Sequence, residues 1–139
     1  MNQTEYEIEF SFSQAEVEAF ATLTGDRNPI HFEGPMAKEG TFGRPILHGM
    51  LSASIFSRIF GTAFPGPGTV YLNQDLRFLR PMFAETSYIA KVGVMETTEK
   101  GNQIKLRTTA RDATTKKVVM DGIAEVMNKP FFKQNMDAA

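Results

Sequence analysis

The chain contains two histidines, His31 and His48, and no cysteine. His31 closes the run Gly25-Asp26-Arg27-Asn28-Pro29-Ile30-His31, so a carboxylate and an imidazole stand five residues apart. Pro29 fixes one backbone dihedral and biases Asn28 towards extended geometry, which stiffens the loop between them. On a stiff loop the two side chains can converge on one water molecule. Their ordinary pKa values are about 3.9 and 6.5, so near neutral pH one group can hold or take a proton while the other gives one. Addition of water to a polarised double bond needs that division of labour: water is activated for attack at the β-carbon, and a proton is delivered to the α-carbon. The same spacing also suits a plain Asn-Pro turn, with Asp26 capping backbone amides and His31 in solvent. Spacing alone leaves both readings open.

His48-Gly49 stands at the head of a long apolar stretch. If that stretch is a helix, its first turn offers unpaired N–H groups at the positive end of the dipole. The Gly49 amide, with no side chain in the way, can then donate to a carbonyl oxygen on which negative charge develops. A glycine here also suits close packing of a helix on a sheet, and a structural role is the simpler reading of His48.

Other chemistries find less support. There is no G-x-S-x-G elbow to activate Ser52, Ser54 or Ser57, no Walker loop and no G-x-G-x-x-G. Asp26, Asn28 and His31 can ligate a metal in principle, but no second cluster completes a site, so none is expected. The lack of cysteine removes disulfides and thiolate chemistry and fits a reducing, cytoplasmic compartment. A net charge of -1 provides no basic surface for nucleic acid and no polybasic tail for membranes. The longest apolar stretch, around Ile46–Phe60, is broken by His48, Arg58 and three serines, too short and too polar to span a bilayer. No signal-like segment opens the chain.

The positioning elements follow from periodicity. Tyr6, Ile8, Phe10 and Phe12 alternate with Glu5, Glu7, Glu9 and Ser11, the pattern of a strand with one wet face. Ser13-Gln14-Ala15-Glu16 is a capping box, after which Val17, Phe20, Ala21 and Thr24 recur at helical spacing until Gly25. A loop rich in Gly and Pro from Gly34 to Pro45 leads to a second helix over about Ile46–Phe60, apolar around most of its circumference and ended by Gly61. Four strands complete the chain: Val70–Leu79, Thr86–Glu96, Gln103–Arg111 and Lys117–Asn128, the last three joined by hairpin-length connections. Strand, two helices and an antiparallel meander predict an α+β fold, one sheet wrapped around one buried helix. The 139 residues fit one domain, with Gln134–Ala139 expected to fray.

Two motifs in order carry a resemblance. Phe20-Ala21-Thr22-Leu23-Thr24-Gly25-Asp26-Arg27-Asn28-Pro29-Ile30-His31 and Gly43-Arg44-Pro45-Ile46-Leu47-His48-Gly49-Met50-Leu51 resemble the signatures of (R)-specific enoyl-CoA hydratases of the MaoC-like family, as does Tyr71-Leu72-Asn73-Gln74-Asp75-Leu76-Arg77-Phe78 with Pro81. The resemblance runs from the first strand to about Asn128. It implies a hot-dog fold and a homodimer with the sheet continued across two subunits. Asp26 and His31 are then the catalytic pair that binds water and shuttles the α-proton, with syn addition and an (R)-3-hydroxyacyl product. Asn28 supports the pair or the substrate, and the Gly49 amide holds the thioester oxygen. The resemblance implies no cofactor. The substrate is an acyl thioester of coenzyme A or, alternatively, of acyl carrier protein, as in fatty acid metabolism.

In such a fold the acyl pocket lies beside the central helix, which makes Ser57, Ile59 and Phe60 candidate walls, and the bulk of Phe60 predicts a preference for short chains. Two other readings compete. A hot-dog thioesterase needs a differently placed carboxylate, commonly on the central helix, and Met50–Ile59 contains no Asp or Glu. A non-catalytic acyl-binding domain would not need Asp26 or His31.

Overall fold

A computed structural model describes the backbone of residues 3–138 and the side chains as far as residue 133. Its strands are β1 (Glu5–Phe10), β2 (Val70–Phe78), β3 (Tyr88–Thr98), β4 (Gln103–Asp112) and β5 (Val118–Met127). Its helices are α1 (Gln14–Thr24), the four-residue α2 (Pro35–Lys38), α3 (Gly49–Thr62) and α4 (Lys129–Ala138), with a single 3-10 turn at Pro29–His31. The strands make one antiparallel sheet in the order β1-β3-β4-β5-β2.

Alternation decides which sheet face is wet. On β3, Tyr88, Ala90 and Val92 are buried; on β4, Ile104, Leu106 and Ala110; on β5, Met120, Ala124 and Val126. Those side chains meet Leu51, Ile55, Phe56, Ile59 and Phe60 of α3 in a single hydrophobic cluster. Removing such residues from water contributes about 25 cal/mol per Å² of apolar surface, enough to hold a helix whose sequence includes three serines and two glycines. The sheet thus wraps α3, the α+β arrangement expected from the pattern. Gly122 lets β5 approach β2: a Cβ there would stand 1.9 Å from the Asp75 carbonyl oxygen.

Helix α1 forms where the capping box predicts. The Ser13 hydroxyl accepts from the Glu16 amide at 3.1 Å and the Glu16 carboxylate accepts from the Ser13 amide at 2.9 Å. Gly25 ends it in the left-handed region, φ 82°, where a side chain is disfavoured. The central helix departs from its expected bounds. It starts at Gly49, not Ile46, because residues 46 and 47 are held in extended form by the loops on either side: the Ile46 amide donates to Ile30 and the Leu47 amide to Met82. It also continues past Gly61 to Thr62, and Ala63 is its C-terminal cap. One face, at Met50, Ser57 and Arg58, stays open to solvent.

The last helix, α4, takes in residues 134–138 of the stretch expected to fray, and Ala139 lies outside the described residues. Asn128 starts that helix by accepting from the Phe131 amide at 2.7 Å, while its own amide group donates to Gly66 and Thr69. Phe132 is buried in the main cluster and Phe131 packs edge-on against Phe64. Anchored at its first turn, the helix propagates into polar residues whose own sequence gives no sign of order. Among the described residues no helix is long and apolar enough to cross a membrane.

Candidate active site

The loop from Gly25 to His31 is closed on itself by short-range polar contacts. The Asp26 carboxylate accepts from the Asn28 amide at 3.2 Å, and the Asn28 side chain accepts from the Ile30 amide at 3.3 Å. These are the turn contacts that an Asp-Asn-Pro sequence favours. The turn does not leave His31 in solvent, however. The 3-10 turn carries it inward, where it is buried.

His31 Nδ1 lies 2.8 Å from the Ile46 carbonyl oxygen. A carbonyl only accepts, so Nδ1 carries the hydrogen and Nε2 keeps its lone pair. Burial, first of all, holds the His31 pKa below its usual 6.5, and the neighbouring His48 lowers it further, against the raising influence of the Ile46 hydrogen bond and of Asp26. The result is a neutral imidazole near pH 7 with one free basic nitrogen, the state a general base needs.

His48, the N-cap residue of α3, is buried too, and its ring stacks on that of His31 at 3.8 Å between centroids. Its Nε2 donates to the Asp26 backbone carbonyl at 2.9 Å. One carboxylate oxygen of Asp26 and one ring nitrogen of each histidine lie within 4.8 Å of one another. A water accepting or donating at about 2.8 Å on each side spans gaps up to about 5.6 Å, so the cluster is sized for a bridging water. The same three residues have the ligand types and spacing that could hold a metal ion, although one ring nitrogen of each histidine is already engaged with a backbone carbonyl.

Beside His31 a cavity of about 320 Å³ is walled by Ile30, Ile46, Leu47, Gly49, Ser52, Phe78 and Met82 among others, with Arg80 at its polar side. As the first residue of α3, Gly49 keeps an amide N–H with no acceptor inside the helix. The cavity therefore holds an unpaired donor, a helix N-terminus and a neutral imidazole in one apolar enclosure. Such an arrangement can stabilise charge developing on a carbonyl oxygen while a base acts nearby.

Of the expected residues, His31 and Gly49 line this cavity, Asp26 lies beside His31 and His48, and exposed Asn28 is joined to Asp26 through its backbone amide. Asp26 itself is exposed, at the loop side of the cluster and not in the cavity wall. Ser57, Ile59 and Phe60 are not brought there. Ile59 and Phe60 point into the core, Phe60 edge-on to Tyr71, and Ser57 faces solvent. For Ile59 and Phe60 the reason is axial: they lie on the face of α3 that carries Gly49 and Ser52 but two to three turns further along it, about 10–17 Å at 1.5 Å per residue, while Ser57 lies on another face. Sequence reasoning missed the Ile46 carbonyl, which carries no side-chain signal, and Phe78, whose alternation on β2 placed it on a face without naming its neighbour.

A family model described as "MaoC like domain" matches residues 2–117. The chain belongs to the MaoC-like family. It is similar to the (R)-specific enoyl-CoA hydratase of Aeromonas caviae, 47% identical over 83 residues, which cover 60% of this chain and 62% of that protein. It is 39% identical over 114 residues to the 3-hydroxybutyryl-CoA dehydratase of Methylorubrum extorquens, covering 82% of this chain and 71% of that one. The solved structure of the A. caviae (R)-hydratase involved in PHA biosynthesis superposes with a TM-score of 0.84 at 35% identity, over 91% of this chain and 97% of that chain. A MaoC-like hydratase thus shares the fold almost end to end, and the sheet around α3 is the hot-dog fold.

Proposed function

We propose that this MaoC-like protein is an (R)-specific enoyl-CoA hydratase, a hydro-lyase that adds water reversibly to a trans-2-enoyl thioester. The observation that carries the reading is the enclosed His31 imidazole, with its Nε2 lone pair free, facing the same cavity as the unpaired Gly49 amide. The named relatives supply the substrate class. In this mechanism the Gly49 N–H binds the thioester oxygen and draws electron density from C3. Water held between Asp26 and His31 gives a proton to His31 Nε2 as its oxygen bonds to C3. The enolate at C2 then takes that proton back from the same face, so one water is added with no net proton change. Asp26 orients the water through its carboxylate, and Asn28 holds Asp26 in place through its amide. No cofactor enters the reaction.

Two further points belong to this reading. Edge strand β2 and the residue after it leave Val70, Tyr71, Leu72, Phe78 and Leu79 each at least 37% exposed, an apolar strip along an unpaired sheet edge that a second copy would cover. A homodimer is the assembly, and a monomeric mass by sedimentation at micromolar concentration would contradict it. A cytoplasmic location goes with this reading, and the cysteine-free composition suits a reducing compartment.

The decisive assay follows the conjugated absorbance of crotonyl-CoA. Wild type depletes it, whereas Asp26→Asn and His31→Gln each lose at least about 10²-fold in kcat, the low end for a missing general acid or base. Near-normal rates in both variants overturn the mechanism. Release of free thiol without hydration identifies a thioesterase, and turnover only of the acyl carrier protein thioester reassigns the carrier.

A further inference from the structure

The hydration reading gives His48 nothing to do, yet its ring is buried and packed against three other rings. Its side chain is 2% exposed, boxed between Phe20 of α1 at 4.8 Å, Phe32 at 6.4 Å and His31 at 3.8 Å. Its Nε2–H is spent on the backbone carbonyl of Asp26. Its Nδ1 is the one buried side-chain nitrogen or oxygen among the described residues with no hydrogen-bond partner. A buried polar atom left without a partner costs about 1–3 kcal/mol, so a residue kept there for packing alone would be better replaced by an apolar ring of the same size. Phenylalanine would fill the same box without the orphaned nitrogen.

We infer that His48 is the positioning residue that locks Asp26 and His31 into one acid–base unit, gripping the first through its backbone carbonyl and the second through its ring face. This rests on the hydration reading for its purpose, but the clamp itself is a matter of geometry. The Asp26-to-His31 loop has its own turn contacts, yet those act within the loop and do not fix it against α3. His48 does, because it is the N-cap of α3 and its orientation is set by the helix that also presents the Gly49 amide. One rigid element therefore fixes the oxyanion donor and, through His48, both proton-handling groups. Misplacing reacting groups by about 1 Å costs about 10²-fold in rate, which gives such a clamp its value. The titratable groups gathered on His48 are Asp26 and His31; the other two contacts are phenylalanine rings. Replacing His48 by an uncharged ring also removes the partner that lowers the proton affinity of His31.

The chain's two histidines make the test direct. In His48→Phe the remaining imidazole resonances belong to His31 alone. Expected are a kcat for crotonyl-CoA down by at least about tenfold with KM near wild type, and a His31 titration moved to higher pH than in wild type. His48→Gln, which keeps an N–H for the Asp26 carbonyl, should recover part of the loss. A His48→Phe enzyme within about twofold of wild-type kcat, or one whose His31 titration stays in place, overturns the inference. Should His48→Phe fail to fold, long-range 1H–15N spectra of the wild-type protein decide: His48 protonated on Nε2 supports the clamp, and His48 protonated on Nδ1 sinks it. A wild type that does not hydrate enoyl-CoA defeats the reading of function, while the tautomer and the titration still test the clamp.

Discussion

The α3–sheet core and the loop that delivers Asp26 and His31 are held by opposite means. The core is a continuous cluster of apolar side chains from α3, β3, β4 and β5, in which each residue has many interchangeable neighbours. The loop is held by single atoms: the Asp26 carboxylate on the Asn28 amide, the Asn28 side chain on the Ile30 amide, His31 on the Ile46 carbonyl and His48 on the Asp26 carbonyl. Dispersion and burial are summed over area and tolerate small displacements, whereas a hydrogen bond fails within a few tenths of an ångström or a few tens of degrees. Stability is therefore distributed in this molecule and the geometry of the candidate site is not. Substitutions should sort accordingly: core changes move the unfolding transition, loop changes move turnover.

The sharpest attempt to break that division removes the largest wholly buried ring of the central helix. Phe56, fully buried, packs where α3 meets the sheet. Phe56→Ala should cost about 3–5 kcal/mol in urea unfolding, while the fraction that remains folded keeps its kcat. A specific loss of kcat in fully folded Phe56→Ala would show that core and site are not separable. The helix entry offers a smaller lever. Ser13→Ala removes the capping hydroxyl of α1, far in sequence from the catalytic pair but on the helix that ends at Gly25. It should cost about 1 kcal/mol, lowering Tm by about 4 °C, with crotonyl-CoA turnover unchanged. A drop in turnover would mean that α1 transmits its N-terminal order to Asp26.

The same contrast explains what could be read from the sequence. Period-two alternation and a capping box are local statements about side chains, and they placed β1, α1 and the meander to within a few residues. The candidate run from Asp26 to His31 was legible because proline, aspartate and histidine carry their chemistry in their side chains. The start of α3 was not, because Ile46 and Leu47 are kept out of the helix by carbonyls of Ile30 and Met82, which no side-chain pattern announces. Whether Ser57, Ile59 and Phe60 meet the cavity depended on which end of α3 the cavity occupies, and it lies at the first turn, beside Gly49 and Ser52, where loop and strand residues complete its wall. Phe60 packs edge-on against Tyr71 and does not line the cavity beside His31, whose apolar walls include Phe78 and Met82.

The smallest expected effect lies in pH, and it separates the two regions within one residue. Burial and His48 hold the His31 pKa below 6.5. As a base, His31 must be neutral, so kcat/KM should stay on its plateau as pH falls through 6.5 and drop only below it. For stability the sign is the same. The unfolded chain binds the proton more readily than the folded one, so His31 adds no penalty above pH 6.5, and stability is lost as pH falls from there through the folded-state value. Activity and stability should thus share a limb on the acid side. His31→Gln removes this contribution to the stability limb while leaving the carboxylate contributions at lower pH. A wild-type kcat/KM profile that already falls above pH 6.5 would mean that the imidazole in the working enzyme is more exposed to solvent, or closer to Asp26, than the stacked and enclosed ring found here.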